Sequence, residues 1–110
     1  MKPAAAFSIA AGLVAAGAAV SGVLAQSPSG DPVAGETLAR QVCVTCHQVE
    51  KGQHGLSLEG APAFQDVADD PAVTSLALRV FLRNPHEEMP DFILSDAETE
   101  DVVTYILSLR

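Results

Sequence analysis

Two cysteines and a histidine fall within five consecutive residues, Cys43-Val44-Thr45-Cys46-His47, and these are both of the chain's cysteines and one of its three histidines. Two intervening residues place the thiols about one helical turn apart. Both can then add to vinyl groups along one porphyrin edge while the adjacent imidazole reaches the iron from one face. This is the attachment pattern of a single, covalently bound, c-type haem. Three other chemistries use similar spacings or none, and each must explain why histidine follows the second cysteine at once. A thioredoxin-like Cys-x-x-Cys wants a βαβ pattern around it, and none is visible. Half of a zinc site needs a fourth ligand, for which only His54 and His86 are available, with no second Cys pair. A chance spacing gives no reason for the histidine.

An iron held by His47 needs a ligand on its other face, and the stretch His86-Glu87-Glu88-Met89-Pro90-Asp91-Phe92-Ile93-Leu94 offers two. Met89 is preferred. Beyond residue 25 it is the sole methionine, and a thioether opposite histidine raises the reduction potential as an electron carrier requires. A gap-filling core methionine would better suit a helix interior than a loop ending in Met-Pro. His86 would instead give bis-histidine ligation at lower potential. His54 sits among polar residues and glycines and reads as an exposed loop histidine.

The chain that must position these groups has 110 residues and a formal charge of −8, enough for one domain. Residues 4–25 carry no charge and include ten Ala and three Gly, and Lys2 is the only charged side chain before them. With Val23-Leu24-Ala25 ahead of the polar Gln26, residues 1–25 read as a secretory signal cleaved after Ala25, which places the remainder in the periplasm. The lack of Arg argues against a mitochondrial transit peptide. The alternative is an uncleaved anchor, since about 20 residues span a bilayer core. Its seven strongly apolar side chains would favour insertion by only about 3 kcal/mol, however, before Gly and Ser subtract from it. Residues 26–30 read as a polar linker with no reason to be ordered, and 31–110 as the folded domain. The 85 residues left by cleavage would bury only about 60–65% of their unfolded surface, a marginal fraction that a covalently held macrocycle would supplement. Export to an oxidising compartment is consistent with thiols that the cofactor captures before they pair.

Three helices are predicted. Asp31 is the N-cap and Pro32 the first residue of one whose Gly35, Leu38, Ala39 and Val42 recur at helical spacing up to Cys43. Gly35 costs about 1 kcal/mol against Ala in a helix interior, which argues for a close crossing with another helix at that point. Gly52, Gly55, Gly60 and Pro62 break residues 48–63 into a long loop, after which Phe64 and Val67 face the interior. Asp70-Pro71 repeats the start signal for a helix carrying Val73, Leu76, Ala77, Val80 and Phe81, stopped by Asn84-Pro85. Arg79 and Arg83 in its last turns suit the helix dipole and are candidate partners for a haem propionate. Ser95-Asp96-Ala97-Glu98 is a capping box opening a last helix with a Val102, Tyr105, Ile106, Leu109 stripe. Helices and loops without an alternating strand pattern make the fold all-α.

Taken together, Asp31-Pro-Val-Ala-Gly35, the Cys43–His47 motif, Gly60-Ala-Pro62-Ala-Phe64, Met89-Pro90-Asp91-Phe92 and Asp101-Val-Val-Thr-Tyr105-Ile-Leu resemble class I cytochrome c of the small bacterial kind. The resemblance covers nearly all of residues 31–110. It implies a small cytochrome c-like fold of three main helices and loops around one haem. It also implies thioethers at Cys43 and Cys46, axial ligands at His47 and Met89, and a Pro62 carbonyl that receives the Nδ1 proton of His47. Gly35 would pack at a crossing of the first and last helices, against Tyr105. Ala39 departs from the pattern, because many members carry an aromatic there, and this implies a looser crossing.

An iron with two protein ligands has no open site for substrate, so the expected function is one-electron transfer between redox partners and not catalysis. The alternatives are a haem subunit of a membrane-associated oxidoreductase complex and a ligand-binding haem sensor, the latter opposed by Met89. Donor and acceptor are expected to be periplasmic or membrane-bound redox proteins. From residue 26 onward five basic side chains face fourteen acidic ones, a formal −9. Such a field favours a basic docking face or an uncharged, apolar one. No nucleic-acid partner is expected, and membrane contact is expected only through an uncleaved signal or a membrane-bound partner.

Overall fold

The computed structural model describes residues 29–84, 89 and 93–110. The signal or anchor at 1–25, linker residues 26–28, and His86, Glu87, Glu88, Pro90, Asp91 and Phe92 lie outside the described residues.

Helix α1 spans Pro32–Gln41, where Asp31 caps it as its composition dictates: the carboxylate accepts from the Val33 N–H at 2.8 Å, and Pro32 sits where a missing N–H costs nothing. Its last turn passes into a 3₁₀ turn, Cys43–Thr45. After a loop come α2, Phe64–Asp69, and α3, Ser75–Arg83. The chain ends with α4, Asp96–Ser108. Among the described residues the only strand-like pairing is an isolated bridge between Leu56 and Pro62. The fold is therefore all-α.

The capping box forms in full, with Ser95 Oγ accepting from the Glu98 N–H and the Glu98 carboxylate accepting from the Ser95 N–H. The predicted stripe of Val102, Tyr105, Ile106 and Leu109 is buried, joined by Val103 and Thr99. Opposite it, α1 crosses so closely that a Cβ on Gly35 would lie 2.0 Å from the Asp101 carbonyl oxygen and 2.8 Å from Tyr105 Cβ. Ala39 is completely buried at this crossing. The looser crossing implied by the absent aromatic is not found, because Gly35 and Ala39 let the helix backbones approach instead.

Helix α2 is one more than the three helices predicted, and two further local predictions need correction. Asp70-Pro71 does not start a helix: the Asp70 side chain accepts from Ala72 N–H at 2.8 Å and its carbonyl from Val73 N–H at 3.1 Å, which closes a single turn. The chain then extends at Thr74, whose hydroxyl accepts from Ala77 N–H and starts α3 there. The second concerns the linker, whose last residues are held. Gly30 N–H donates to Thr104 Oγ1 at 3.1 Å, and a Cβ on Gly30 would meet the Glu100 carbonyl at 2.2 Å. Asp31 N–H donates to Asp101 Oδ1 at 2.7 Å, so the segment entering α1 lies along α4.

Helix α3 joins α4 through paired charges. Arg79 grips both oxygens of Glu100, Nη2 to Oε2 at 2.7 Å, and Arg83 reaches Asp96 at 2.8 Å. Both arginines thus pair with carboxylates of α4, Arg79 through two contacts and Arg83 at the surface. Arg79 holds the Glu100 carboxyl below the usual range.

Candidate functional site

The Cys43–His47 segment leaves α1 as a closed turn. Val42 N–H still bonds Leu38 C=O, then the Cys43 carbonyl accepts from both Cys46 N–H at 3.1 Å and His47 N–H at 2.8 Å. This folding back sets Cys43, Cys46 and His47 on one compact loop. Both thiols are free and half-buried, and Cys43 packs against the core. Burial pushes the Cys43 thiol up, so it is protonated at neutral pH.

His47 is half-buried, with Nδ1 2.7 Å from the Pro62 carbonyl oxygen. A carbonyl only accepts, so Nδ1 carries the proton and Nε2 keeps its lone pair for a metal. The loop that delivers Pro62 is a short ladder: Ala63 N–H bonds Gly55 C=O at 3.0 Å and Ser57 N–H bonds Ala61 C=O at 2.9 Å, on either side of the Leu56–Pro62 bridge. The turn at its tip uses Gly60 at φ +81°, a conformation open to glycine. At its base Asp66 of α2 accepts from Gly55 N–H at 2.6 Å and contacts His54 Nδ1 at 2.5 Å, and these bonds hold the Asp66 carboxyl low. His54 is exposed, as its surroundings suggest.

Two aromatic residues stand behind the histidine. Phe64 lies 5.2 Å from the His47 ring at 53°, and Tyr105 lies 6.4 Å from Phe64. The Tyr105 hydroxyl donates to the Val49 carbonyl at 2.7 Å. Sequence reading assigns both to the interior but to no part of the site. The hydroxyl contact joins residues 56 apart, and no local pattern announces it.

The structure thus brings Cys43, Cys46, His47 and Pro62 together. Met89 is half-buried in the separate segment between α3 and α4, and His86 lies outside the described residues. Among the described residues no group of three His, Cys, Asp or Glu is placed to hold a metal ion.

The residues present fit a haem. Two free thiols and a histidine with a committed Nδ1 share one turn. Val44 beside the cysteines, Leu56 and Leu58 on the loop, Leu76 and Val80 on α3, and Ile93 before α4 all stay exposed despite their apolar side chains. A concavity of about 380 Å³ adjoins the turn, lined by Val44, Cys46, His47, Val49 and Leu58 on one hand and by the polar Gln48, Glu50, Gln53, Ser57 and Glu59 on the other. A large flat apolar group held by the thiols would cover Val44 and Leu58, the exposed apolar side chains that line the concavity.

Comparison with known proteins agrees with this chemistry. The family described as cytochrome C oxidase, cbb3-type, subunit III matches residues 30–106. Cytochrome c-552 of Bradyrhizobium diazoefficiens is 43% identical over 76 residues, which is 69% of this chain and 72% of the relative. No solved structure matches significantly. The matched span runs from the residue pinned on α4 through the Cys43–His47 turn and into the last helix, and the chain belongs to the cytochrome c family, a c-type cytochrome that transfers electrons on a covalently attached haem.

Proposed function

We propose that the chain is a one-electron shuttle whose haem is joined to Cys43 and Cys46 and ligated by His47 and Met89. The observation that carries this is the single turn presenting two free thiols and a histidine whose Nδ1 proton is held by Pro62. Cys43 and Cys46 would hold the haem through thioethers, each thiol supplying both the sulfur and the proton that saturate one vinyl group, so that no external oxidant or reductant would be needed. The haem supplies the one-electron couple. With His47 and Met89 as its two protein ligands the iron would have no place left for a substrate, so the chain would carry electrons rather than catalyse a reaction of its own.

The domain responsible is residues 31–110, exported by the segment 1–25 and working in the periplasm. No helix among the described residues is long and apolar enough to cross a membrane. Partners are a redox donor and acceptor that meet the protein near the exposed Val44 and Leu58, through a basic or an apolar face. The family description supports a second reading, a haem subunit of a membrane-bound oxidase complex. Purification separates them, since a shuttle is recovered as a free protein beginning near Gln26 and a subunit is recovered with its complex.

The ligand set is tested on Met89→Ala. The variant should lose the weak long-wavelength band of methionine ligation in the oxidised protein and fall in potential, with His86 the nearest substitute ligand. An unchanged band and potential would remove Met89 from the iron.

A further inference from the structure

The two peptide carbonyls that follow His47 are each held by a different helix. Gln48 C=O accepts from the Phe64 N–H at 2.9 Å, at the start of α2. Val49 C=O accepts from the Tyr105 hydroxyl at 2.7 Å, from the middle of α4. The side chains continue the same arrangement, with Phe64 5.2 Å from the imidazole and Tyr105 6.4 Å behind Phe64. Both rings are about 95% buried. Tyr105 is itself fixed where α1 presses on α4 at Gly35. Burial, with Glu36 and Glu50 nearby, keeps its hydroxyl protonated and able to donate.

We propose that Tyr105 is a positioning residue for His47: acting through the Val49 carbonyl and the Phe64 ring, it fixes the imidazole against Pro62 and so lowers the protein's affinity for an electron. The inference rests on His47 being the axial ligand. The sign follows from the Nδ1 bond. A firm Nδ1–H to carbonyl bond makes Nε2 a stronger donor, and a stronger donor favours the oxidised metal. Loosening residues 47–49 weakens that bond and favours reduction. Simple packing predicts something different, because a residue that only fills space changes stability without changing the redox equilibrium.

The test uses the full-length holoprotein. Tyr105→Phe removes one oxygen and keeps the ring, Phe64→Leu removes the ring against His47, and Arg110→Ala is a stability control that loses bonds to the Ala68 and Val73 carbonyls. Redox equilibrium against a fixed mediator, exchange of the His47 Nδ1 proton and the haem-methyl shifts of the oxidised protein are read alongside thermal unfolding. Tyr105→Phe should shift the equilibrium about threefold toward the reduced form, a part of what one ordinary hydrogen bond supplies, and speed Nδ1 proton exchange. Phe64→Leu should move the equilibrium the same way and rearrange the haem-methyl shifts. Arg110→Ala should lower the melting temperature alone. If Tyr105→Phe and Phe64→Leu lower the melting temperature while leaving the redox equilibrium and proton exchange at wild-type values, the positioning role is wrong. Should Tyr105→Phe yield no holoprotein, Phe64→Leu decides by the same readouts. A wild-type spectrum without low-spin histidine ligation would overturn the ligand assignment instead, and is scored separately.

Discussion

Gly35→Ala is the smallest change that tests the α1–α4 crossing. The added methyl would sit 2.0 Å from the Asp101 carbonyl oxygen, 2.5 Å from its carbon and 2.8 Å from Tyr105 Cβ. The first two are backbone atoms inside a helix and cannot rotate away. Ordinary contact begins near 3.4 Å, so the helices must part by about 1.4 Å. In a helix interior the substitution by itself gains about 1 kcal/mol. Overpacking costs about 1–3 kcal/mol and sometimes more, and a clash against backbone lies at or above the top of that range, near 4 kcal/mol. The net loss is then about 3 kcal/mol, or roughly 12–24 °C of melting temperature for a domain of this size. Circular dichroism of the holoprotein on heating measures it. A Gly35→Ala protein melting within about 3 °C of wild type would refute the close crossing, since the helix gain alone cannot offset such a contact.

Ser95→Ala removes the hydroxyl that caps α4 and should destabilise the protein by about 1 kcal/mol in urea unfolding, with the haem spectrum unchanged. Arg79→Gln should flatten the acid side of the stability profile. The Glu100 carboxyl is held below its ordinary value by Arg79, so its contribution is present above the unfolded-state pKa and is lost as pH falls through the lower folded value. The variant should therefore be weaker at neutral pH and converge with wild type in acid, and parallel pH profiles would contradict the pairing. Electron transfer to a partner with a basic docking face should slow as salt rises from about 10 to 150 mM, where the screening length falls from roughly 30 to 8 Å. A flat profile would point to the apolar surface around Val44 and Leu58.

What could be read in the sequence was local or chemical. Asp31-Pro32 and Ser95–Glu98 carry their helix starts within four residues, and both starts form as predicted. The haem motif is legible for the same reason. Gly35 is legible because a glycine on the inward face of a helix weakens it unless a second backbone needs the space. Asp70-Pro71 misled because an Asp-Pro pair serves a single turn as well as a helix start, and only Thr74 three residues later shows which was used. The six-residue α2 was missed because it is too short to display a periodicity. Arg79 and Arg83 could not be assigned without knowing that α4 lies alongside with Glu100 and Asp96 in reach. Tyr105 and Val49 meet across 56 residues, and nothing local to either marks the other as its partner.

The crossing of α1 on α4 also sets a clock. Asp31 and Gly30 bond to partners 70 and 74 residues further along the chain. The crossing can close only after an interval in which those partners are delivered as well, in an exported chain on the far side of the membrane. Throughout that interval α1 has nothing to pack against, and the turn at its end hangs from an unsupported helix. The thiols of Cys43 and Cys46 are therefore enclosed only when the last helix has docked, which leaves the cofactor access to them before the core closes behind it.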